Sequence, residues 1–159
     1  METFGVIIRL CVLTGQRRGE VAQIKNEWLQ NNTLVIPAIV AKNGRQHTVP
    51  LSSHCILLIT QLTEELQKSW NYWNKPKIKL DTISVVTNWT IHDLRRTFAT
   101  NCAQLGIQPV VIEKILNHAS PQSLGGAVGA IYNRHSYDKE MREALELHER
   151  FVIDLISCG

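Results

Sequence analysis

Hydrophobic side chains recur at helical spacing in the stretch that begins at Ile91. They lie three or four residues apart, at Leu94, Phe98, Cys102 and Leu105, and therefore form one apolar face. At about 100° per residue, Arg95 lies beside this face, His92 lies further round, and Arg96 lies nearly opposite it. The pattern predicts a helix in which packing holds Arg95 in place and Arg96 points to water.

The same periodicity predicts further helices. A helix from Phe4 should end at Thr14, before Gly15, because glycine is a common helix stop. Ser52 or Ser53 can cap another helix, and Pro109 can start one. The remaining predicted helices span about 17–25, 127–135 and 138–155, with Asp138 as the N-cap of the last.

Three short β-strands are predicted near the front of the chain. They cover Thr33–Ile36, Ile39–Lys42 and Arg45–Val49, and Asn43-Gly44 between the last two is a strong hairpin signal. The predicted fold class is therefore α+β: mainly α-helical, with a small three-stranded antiparallel sheet.

The stretch from Gln67 to Thr90 gives no clear period. Aromatic and basic residues alternate in it; they are Lys68, Trp70, Tyr72, Trp73, Lys75, Lys77 and Lys79. Such interleaving suits a nucleic-acid contact, but the aromatic residues equally suit an irregular connection packed on the core. Both interpretations are open.

Composition adds limits. A chain of 159 residues with 44% apolar content favours one domain. Its net charge of +3 is compatible with an anionic partner, and the basic surplus is confined to residues 1–118. The four cysteines form no CxxC pair, which indicates ordinary thiols in a reducing compartment. No membrane span and no export signal is recognisable, so we expect a cytoplasmic protein.

Several polar residues have ordinary explanations when each is taken alone. Arg17 and Glu20 are three residues apart and could form a surface ion pair, and a lysine such as Lys42 is common at a solvent-exposed hairpin tip. His118 fits the capping of a helix end, and Tyr132 fits half-buried packing on a short helix.

Their order along the chain carries a stronger signal. The segments are Thr14-Gly-Gln-Arg17-Arg-Gly-Glu20, Lys42, His92-Asp-Leu-Arg95-Arg, Leu116-Asn-His118 and Tyr132-Asn-Arg-His. Together they resemble the active-site signature of the tyrosine recombinase (phage integrase) family. The resemblance covers the chain from Thr3 to the last helix and implies that residues 1–159 form the family's catalytic domain.

The resemblance implies a role for each matching residue. Tyr132 would attack a DNA phosphate and become joined to its 3′ side, releasing a 5′-hydroxyl. Arg17 and Arg95 would hold the non-bridging oxygens, and Glu20 would support the first arginine. His92 and His118 would bind the same phosphate or assist proton transfer.

Lys42 would protonate the departing 5′-oxygen, and Arg45 and His47 beside it are expected to contact the DNA. Tyr137 is the competing candidate nucleophile, but it lies outside the matching segment. Fixed cations suit a phosphodiester reaction, because they stabilise its more negative transition state. No cofactor is implied: the sequence shows neither a two-metal carboxylate cluster nor a Walker-type loop.

The implied function is site-specific DNA recombination, as in the integrase of a prophage or genomic island. The expected partner is double-stranded DNA carrying attachment sites, on which the protein would form a homotetramer. Members of the family normally carry N-terminal core-binding and arm-binding domains that are absent from these 159 residues, so DNA binding by this chain should be weak and salt-sensitive. Two alternatives are a topoisomerase IB-like or resolvase activity and a non-catalytic DNA-binding remnant.

Overall fold

A computed structural model of the protein describes residues 2–62, 73–118 and 136–158. These residues form seven α-helices, one 3-10 helix and three β-strands. The α-helices are α1 (Glu2–Thr14), α2 (Arg18–Val21), α3 (Ser53–Leu62), α4 (Asn74–Ser84), α5 (Ile91–Gln104), α6 (Pro109–Ile115) and α7 (Asp138–Ser157). The 3-10 helix is Asn26–Trp28, and the strands are β1 (Leu29–Gln30), β2 (Thr33–Ile36) and β3 (His47–Pro50).

Helix α1 lies in the centre of the core and contacts α2, α3, α5 and α7. Its inward face includes Ile7 and Leu10, both almost fully buried. Phe98 and Cys102 of α5 are buried against the same cluster, as the apolar face of α5 predicts. The core therefore fixes both the C-terminal end of α1 and the rotation of α5 about its axis.

The sheet is antiparallel and has the order β1-β2-β3. Asn31 and Asn32 join β1 to β2 with φ values of 47° and 59°, which is the backbone of a type I′ turn. The prediction of three antiparallel strands is confirmed, and β2 has the predicted bounds.

The predicted strand Ile39–Lys42 and its Asn43-Gly44 hairpin are wrong. Residues 37–46 instead form a loop in which the carbonyl of Pro37 accepts hydrogen bonds from the amides of Val40 and Ala41, each at 3.0 Å. Gly44, at φ 68°, closes a tight turn by donating to the carbonyl of Ala41 at 2.9 Å. The Asn43-Gly44 turn therefore lies within the long loop that connects the paired strands β2 and β3, and it does not join two strands directly.

The helical predictions are mostly confirmed. Ser52 caps α3, since its Oγ accepts a hydrogen bond from the amide of Cys55 at 3.1 Å. Pro109 is the first residue of α6. Helix α2 is shorter than predicted, and Asp138 is the first residue of α7, with Tyr137 in the N-cap position. The predicted helix 127–135 lies outside the described residues.

Helix α4 was not predicted, and its packing explains why. None of its side chains is buried, so the sequence has no need of an apolar stripe there. Of the aromatic residues in this region, Trp73 is partly buried against the core, and Arg18 lies 5.2 Å from the centre of its ring. Trp70 and Tyr72 lie outside the described residues.

Three of the four cysteines, Cys11, Cys55 and Cys102, are buried and unpaired, and Cys158 is exposed and unpaired. Burial raises the pKa of the Cys11 thiol to about 12. These are the ordinary thiols that the sequence indicates. Within the described ranges no helix is long and apolar enough to cross a membrane.

Replacing Gly15 by alanine should destabilise the fold. Gly15 has φ 65°, and an added Cβ would lie 2.6 Å from Cδ1 of Phe98. Backbone strain and overpacking together should lower the free energy of unfolding by about 2–4 kcal/mol. Chemical denaturation measures this, with Gly5→Ala in α1 as the control, since nothing lies within 4 Å of a Cβ there. Equal stability of the Gly15 and Gly5 variants would contradict the close approach.

Acid should destabilise the protein through His148, which is fully buried in α7 with its ring centroid 4.5 Å from that of Phe98. Burial lowers the pKa of His148 to about 4, although a backbone contact with Leu13 opposes this. The unfolded chain therefore takes up the proton near pH 6.5 and the folded chain only near pH 4. The contribution of neutral His148 to the free energy of unfolding is therefore fully present above pH 6.5, and it is lost as the pH falls towards 4.

Between pH 7 and pH 4.5, His148→Met should lose about 2–3 kcal/mol less unfolding free energy than the wild type. Urea denaturation at the two pH values gives the comparison. His54→Gln, at an exposed position in α3, is the control and should follow the wild type. An unchanged acid response in His148→Met would contradict the assignment.

Candidate active site

A pocket of about 380 Å³ lies where the end of α1, α2, the 37–46 loop and the start of α5 meet. Among the described residues that line it, four are arginine or lysine, one is histidine, and none is acidic. The lining residues are Gln16, Arg17, Arg18, Lys42, Thr90, Ile91, His92 and Arg95. The sequence-predicted residues Arg17, Lys42, His92 and Arg95 therefore share one cavity.

Glu20 fixes one side of this pocket. Its side chain is only 3% exposed, and its Oε1 lies 3.2 Å from Nη1 of Arg17 and accepts a hydrogen bond from the backbone amide of Lys42, also at 3.2 Å. Its Oε2 accepts from the amide of Arg17 at 3.4 Å. One buried carboxylate thus orients the first arginine and anchors the turn that carries the lysine.

Arg95 fixes the opposite side. The residue is 4% exposed, and its Nη1 donates to the carbonyl of Gly15 at 2.7 Å. Its Nη2 donates to the carbonyl of Leu116. Burial and the neighbouring Arg17 lower the pKa of Arg95 to about 10. The guanidinium is still charged at neutral pH, and the mutual repulsion of the two arginines favours an anion between them.

Arg96 takes no part in this pocket. Its side chain is 76% exposed and lies 3.2 Å from Asp93 on the same helix. The sequence prediction that Arg95 is packed and Arg96 is solvated is confirmed.

His92 lies in the first turn of α5. Asp93 fixes that turn, since its Oδ2 accepts hydrogen bonds from both the amide and the hydroxyl of Thr90 at 2.8 Å. The His92 side chain is largely exposed at the pocket, and its pKa is lowered by partial desolvation and by the positive charges of Arg95 and Arg96. The positive end of the α5 dipole lies at the same place, which adds to the preference for an anion.

The C-terminus of α6 places His118. The amide of Asn117 donates to Lys114 O at 3.1 Å, the amide of His118 donates to Glu113 O at 3.1 Å, and Asn117 has φ 48°. This is a Schellman motif with asparagine in the left-handed position. His118 therefore leaves the helix at a defined angle, although it is not among the residues that line the pocket.

Glu113 orients the His118 ring. Nδ1 of His118 lies 2.9 Å from Oε2 of Glu113. An ionised carboxylate only accepts hydrogen bonds, so in the neutral ring Nδ1 carries the hydrogen and Nε2 can act as an acceptor. That arrangement is the one used by an oriented general base. Glu113 was assigned no role in the sequence analysis.

The structure does not support the expectation that His47 contacts DNA. Its ring is buried, and its Nε2 lies 2.9 Å from the carbonyl of Ile115. Burial lowers its pKa to about 4. The ring therefore supports the fold and does not lie on a surface that DNA can contact, in contrast to the expectation from the sequence. Arg45, in the loop before it, is exposed.

Gln16 was missed by the sequence analysis. It is 2% exposed, and its Nε2 donates to the carbonyls of Thr14 at 3.0 Å and Ile115 at 2.9 Å. It therefore ties the end of α1 to the end of α6 beside Arg95. A single glutamine between Gly15 and Arg17 has no pattern that signals burial.

Tyr132 lies outside the described residues, and Tyr137 lies inside them. Tyr137 is partly buried against the core at the start of α7, with φ 62°. Nζ of Lys114 lies 5.6 Å from the centre of its ring. Packing on the core is sufficient to explain Tyr137. Tyr132, in the segment that matches the family signature, therefore stays the predicted nucleophile.

Comparisons with known proteins identify the family and the fold. The model of the phage integrase family matches residues 4–139. The prophage integrase IntZ of Escherichia coli K12 is 31% identical over 166 residues, an alignment that covers 96% of this chain and 40% of that protein. The integrase of mycobacterium phage Brujita has a similar fold, with a TM-score of 0.66 and 23% identity over 92% of this chain and 52% of that one.

This chain thus spans about half or less of the length of both proteins. The family match covers most of its residues, and the positions of Arg17, Lys42, His92 and Arg95 in one basic pocket agree with the order of the motifs. The chain belongs to the phage integrase family of tyrosine recombinases and has the fold of their catalytic domain.

Proposed function

We propose that this chain is the catalytic domain of a site-specific recombinase, in a prophage or genomic-island integrase, that breaks and rejoins DNA through a 3′-phosphotyrosyl intermediate. The observation that carries the proposal is the pair of held guanidiniums in one pocket. Arg17 is held by Glu20 at 3.2 Å and Arg95 by two backbone carbonyls. Held donors of this kind stabilise a phosphate transition state without reorganisation.

Electrostatics favour a phosphodiester as the ligand. Arg17, Arg18, Lys42 and Arg95 line the pocket, and the α5 N-terminus adds a partial positive charge. Arginine presents a planar fork that matches two phosphate oxygens. Attack on a phosphodiester adds negative charge to its non-bridging oxygens, so the arginines bind the transition state better than the ground state.

The chemical step follows from these roles. The Tyr132 oxygen attacks the phosphorus, a bond from phosphorus to tyrosine forms, and the bond from phosphorus to the 5′-oxygen breaks. The phenolic proton passes to Nε2 of His118, which Glu113 orients, and Lys42 gives a proton to the departing 5′-oxygen. The tyrosyl ester conserves the bond energy, so that a 5′-hydroxyl can reverse the step without a nucleotide cofactor.

The partner is double-stranded DNA with attachment sites, and Arg45 lies on the exposed loop that would face it. In the complete protein we propose that residues 1–159 act together with N-terminal DNA-binding domains, as a homotetramer on two DNA sites. The net charge of +3 makes the affinity of this chain alone modest and strongly dependent on salt.

Covalent adduct formation tests the nucleophile. The chain is incubated with nicked duplexes of randomised sequence. The protein is then denatured with detergent, and the DNA that stays covalently attached to it is recovered and sequenced. Wild type should form adduct, Tyr132→Phe should form none, and Tyr137→Phe should retain it because the Tyr137 ring packs on the core. Adduct in Tyr132→Phe together with its loss in Tyr137→Phe would reverse the assignment.

Substituting Arg17 tests the phosphate grip. Arg17→Ala removes one held donor and should slow cleavage about 10²–10³-fold. Arg96→Ala is the matched control: Arg96 is a helix-surface arginine paired with Asp93 outside the pocket, so cleavage should be close to wild type. Single-turnover rates on the recovered duplex give the comparison. Equal effects of the two substitutions would mean that general charge, and not the pocket, is responsible.

A further inference from the structure

An asparagine pair joins the Lys42 turn to the end of α6. Nδ2 of Asn43 donates to Oδ1 of Asn117 at 2.7 Å and to the carbonyl oxygen of Asn117 at 3.2 Å. In return, Nδ2 of Asn117 donates to Oδ1 of Asn43 at 3.3 Å. The two residues are 74 positions apart in the sequence and directly adjoin Lys42 and His118.

The hydrogen-bonding capacity of Asn43 is fully used. Its Oδ1 accepts from the amide of Arg45 at 3.1 Å as well as from Asn117, and its NH₂ group makes the two donations to Asn117. The neighbours also fix the orientation of the amide: the Arg45 amide can only donate and the Asn117 carbonyl can only accept. Four contacts from one side chain define one position for this turn.

Two anchors thus hold the backbone around Lys42. On one side the Lys42 amide donates to the buried carboxylate of Glu20 at 3.2 Å. On the other side the next residue, Asn43, is bonded to Asn117 at the Schellman turn of α6. The lysine side chain itself is exposed and has four rotatable bonds, so its reach depends on where its backbone is fixed.

We propose that Asn43 and Asn117 are positioning residues, which hold Lys42 where it can protonate the 5′-oxygen and keep it in register with His118. The inference rests on the proposed function, because it takes Lys42 as the proton donor. It explains why an asparagine occupies the left-handed position at the end of α6: glycine would suit the backbone equally well but would leave Asn43 without its partner.

The test uses the leaving group. When sulfur replaces the bridging 5′-oxygen, the bond from phosphorus to sulfur breaks and a 5′-thiolate departs without needing a proton. A defect in proton donation is therefore relieved on the sulfur substrate, whereas a defect in folding, DNA binding or phosphate binding slows both substrates. Single-turnover adduct formation by the 159-residue chain is measured on matched oxygen and sulfur versions of the recovered duplex.

Lys42→Ala calibrates the assay. It should lose about 10²–10⁴-fold on the oxygen substrate, the usual contribution of a general acid, and recover on the sulfur substrate. Asn43→Ala and Asn117→Gly should each lose on the order of 10–100-fold on oxygen and change less than about threefold on sulfur. Gln46→Ala, at an exposed position in the same loop, should match the wild type on both.

Asn117→Gly guards against misfolding, because glycine relieves the positive φ while it removes the amide pair. Equal slowing of the two asparagine variants on both substrates, or no slowing at all, overturns the positioning role. Failure of sulfur to restore Lys42→Ala shows that Lys42 is not the proton donor, and the positioning role falls with it. Absence of adduct from the wild type on both substrates contradicts the proposed function itself.

Discussion

The buried guanidinium of Arg95 is the interaction on which the rest of the site depends. Burial of an arginine costs free energy unless its donors are satisfied, and Arg95 satisfies two of its donors with the carbonyls of Gly15 and Leu116. Those two carbonyls end α1 and α6, so one side chain from α5 joins three helices. Gly15 is required for this, since any Cβ at its position would meet Phe98. The fold and the proposed phosphate grip therefore share one set of contacts.

The same pocket also contains a repulsive interaction between two arginines, which would be absent if the residues served only to stabilise the fold. Arg17 and Arg95 are close enough to lower the pKa of Arg95, and without a ligand their repulsion opposes folding. Glu20 offsets part of that repulsion and is almost fully buried beside Arg17. The lining of the pocket keeps an excess of positive charge, which the proposed phosphate ligand would neutralise. This is the arrangement expected of a site that binds an anion more tightly as negative charge develops.

Periodic packing was predictable from the sequence, and irregular contacts were not. Helices α1 and α5 carry continuous apolar faces, so their bounds and the contrast between Arg95 and Arg96 could be predicted. Helix α4 has no buried side chain and so left no pattern. The 37–46 loop reads as a hairpin because Asn43-Gly44 favours a tight turn wherever it occurs. His47 and Gln16 are buried by partners nearly 70 and 100 positions away, which no local pattern records.

Gln16 and His47 share one hydrogen-bond partner, the carbonyl of Ile115 at the end of α6. A helix C-terminus carries partial negative charge and exposed carbonyls, and it would repel a phosphate brought close to His118. Here Gln16 and His47 bond the carbonyl of Ile115, Arg95 bonds that of Leu116, and Asn43 bonds that of Asn117. Four donor side chains from three parts of the chain thus cover the last three carbonyls. Covering them satisfies the buried backbone and reduces the negative potential at this helix end, which is what the proposed role of His118 next to a phosphate would require.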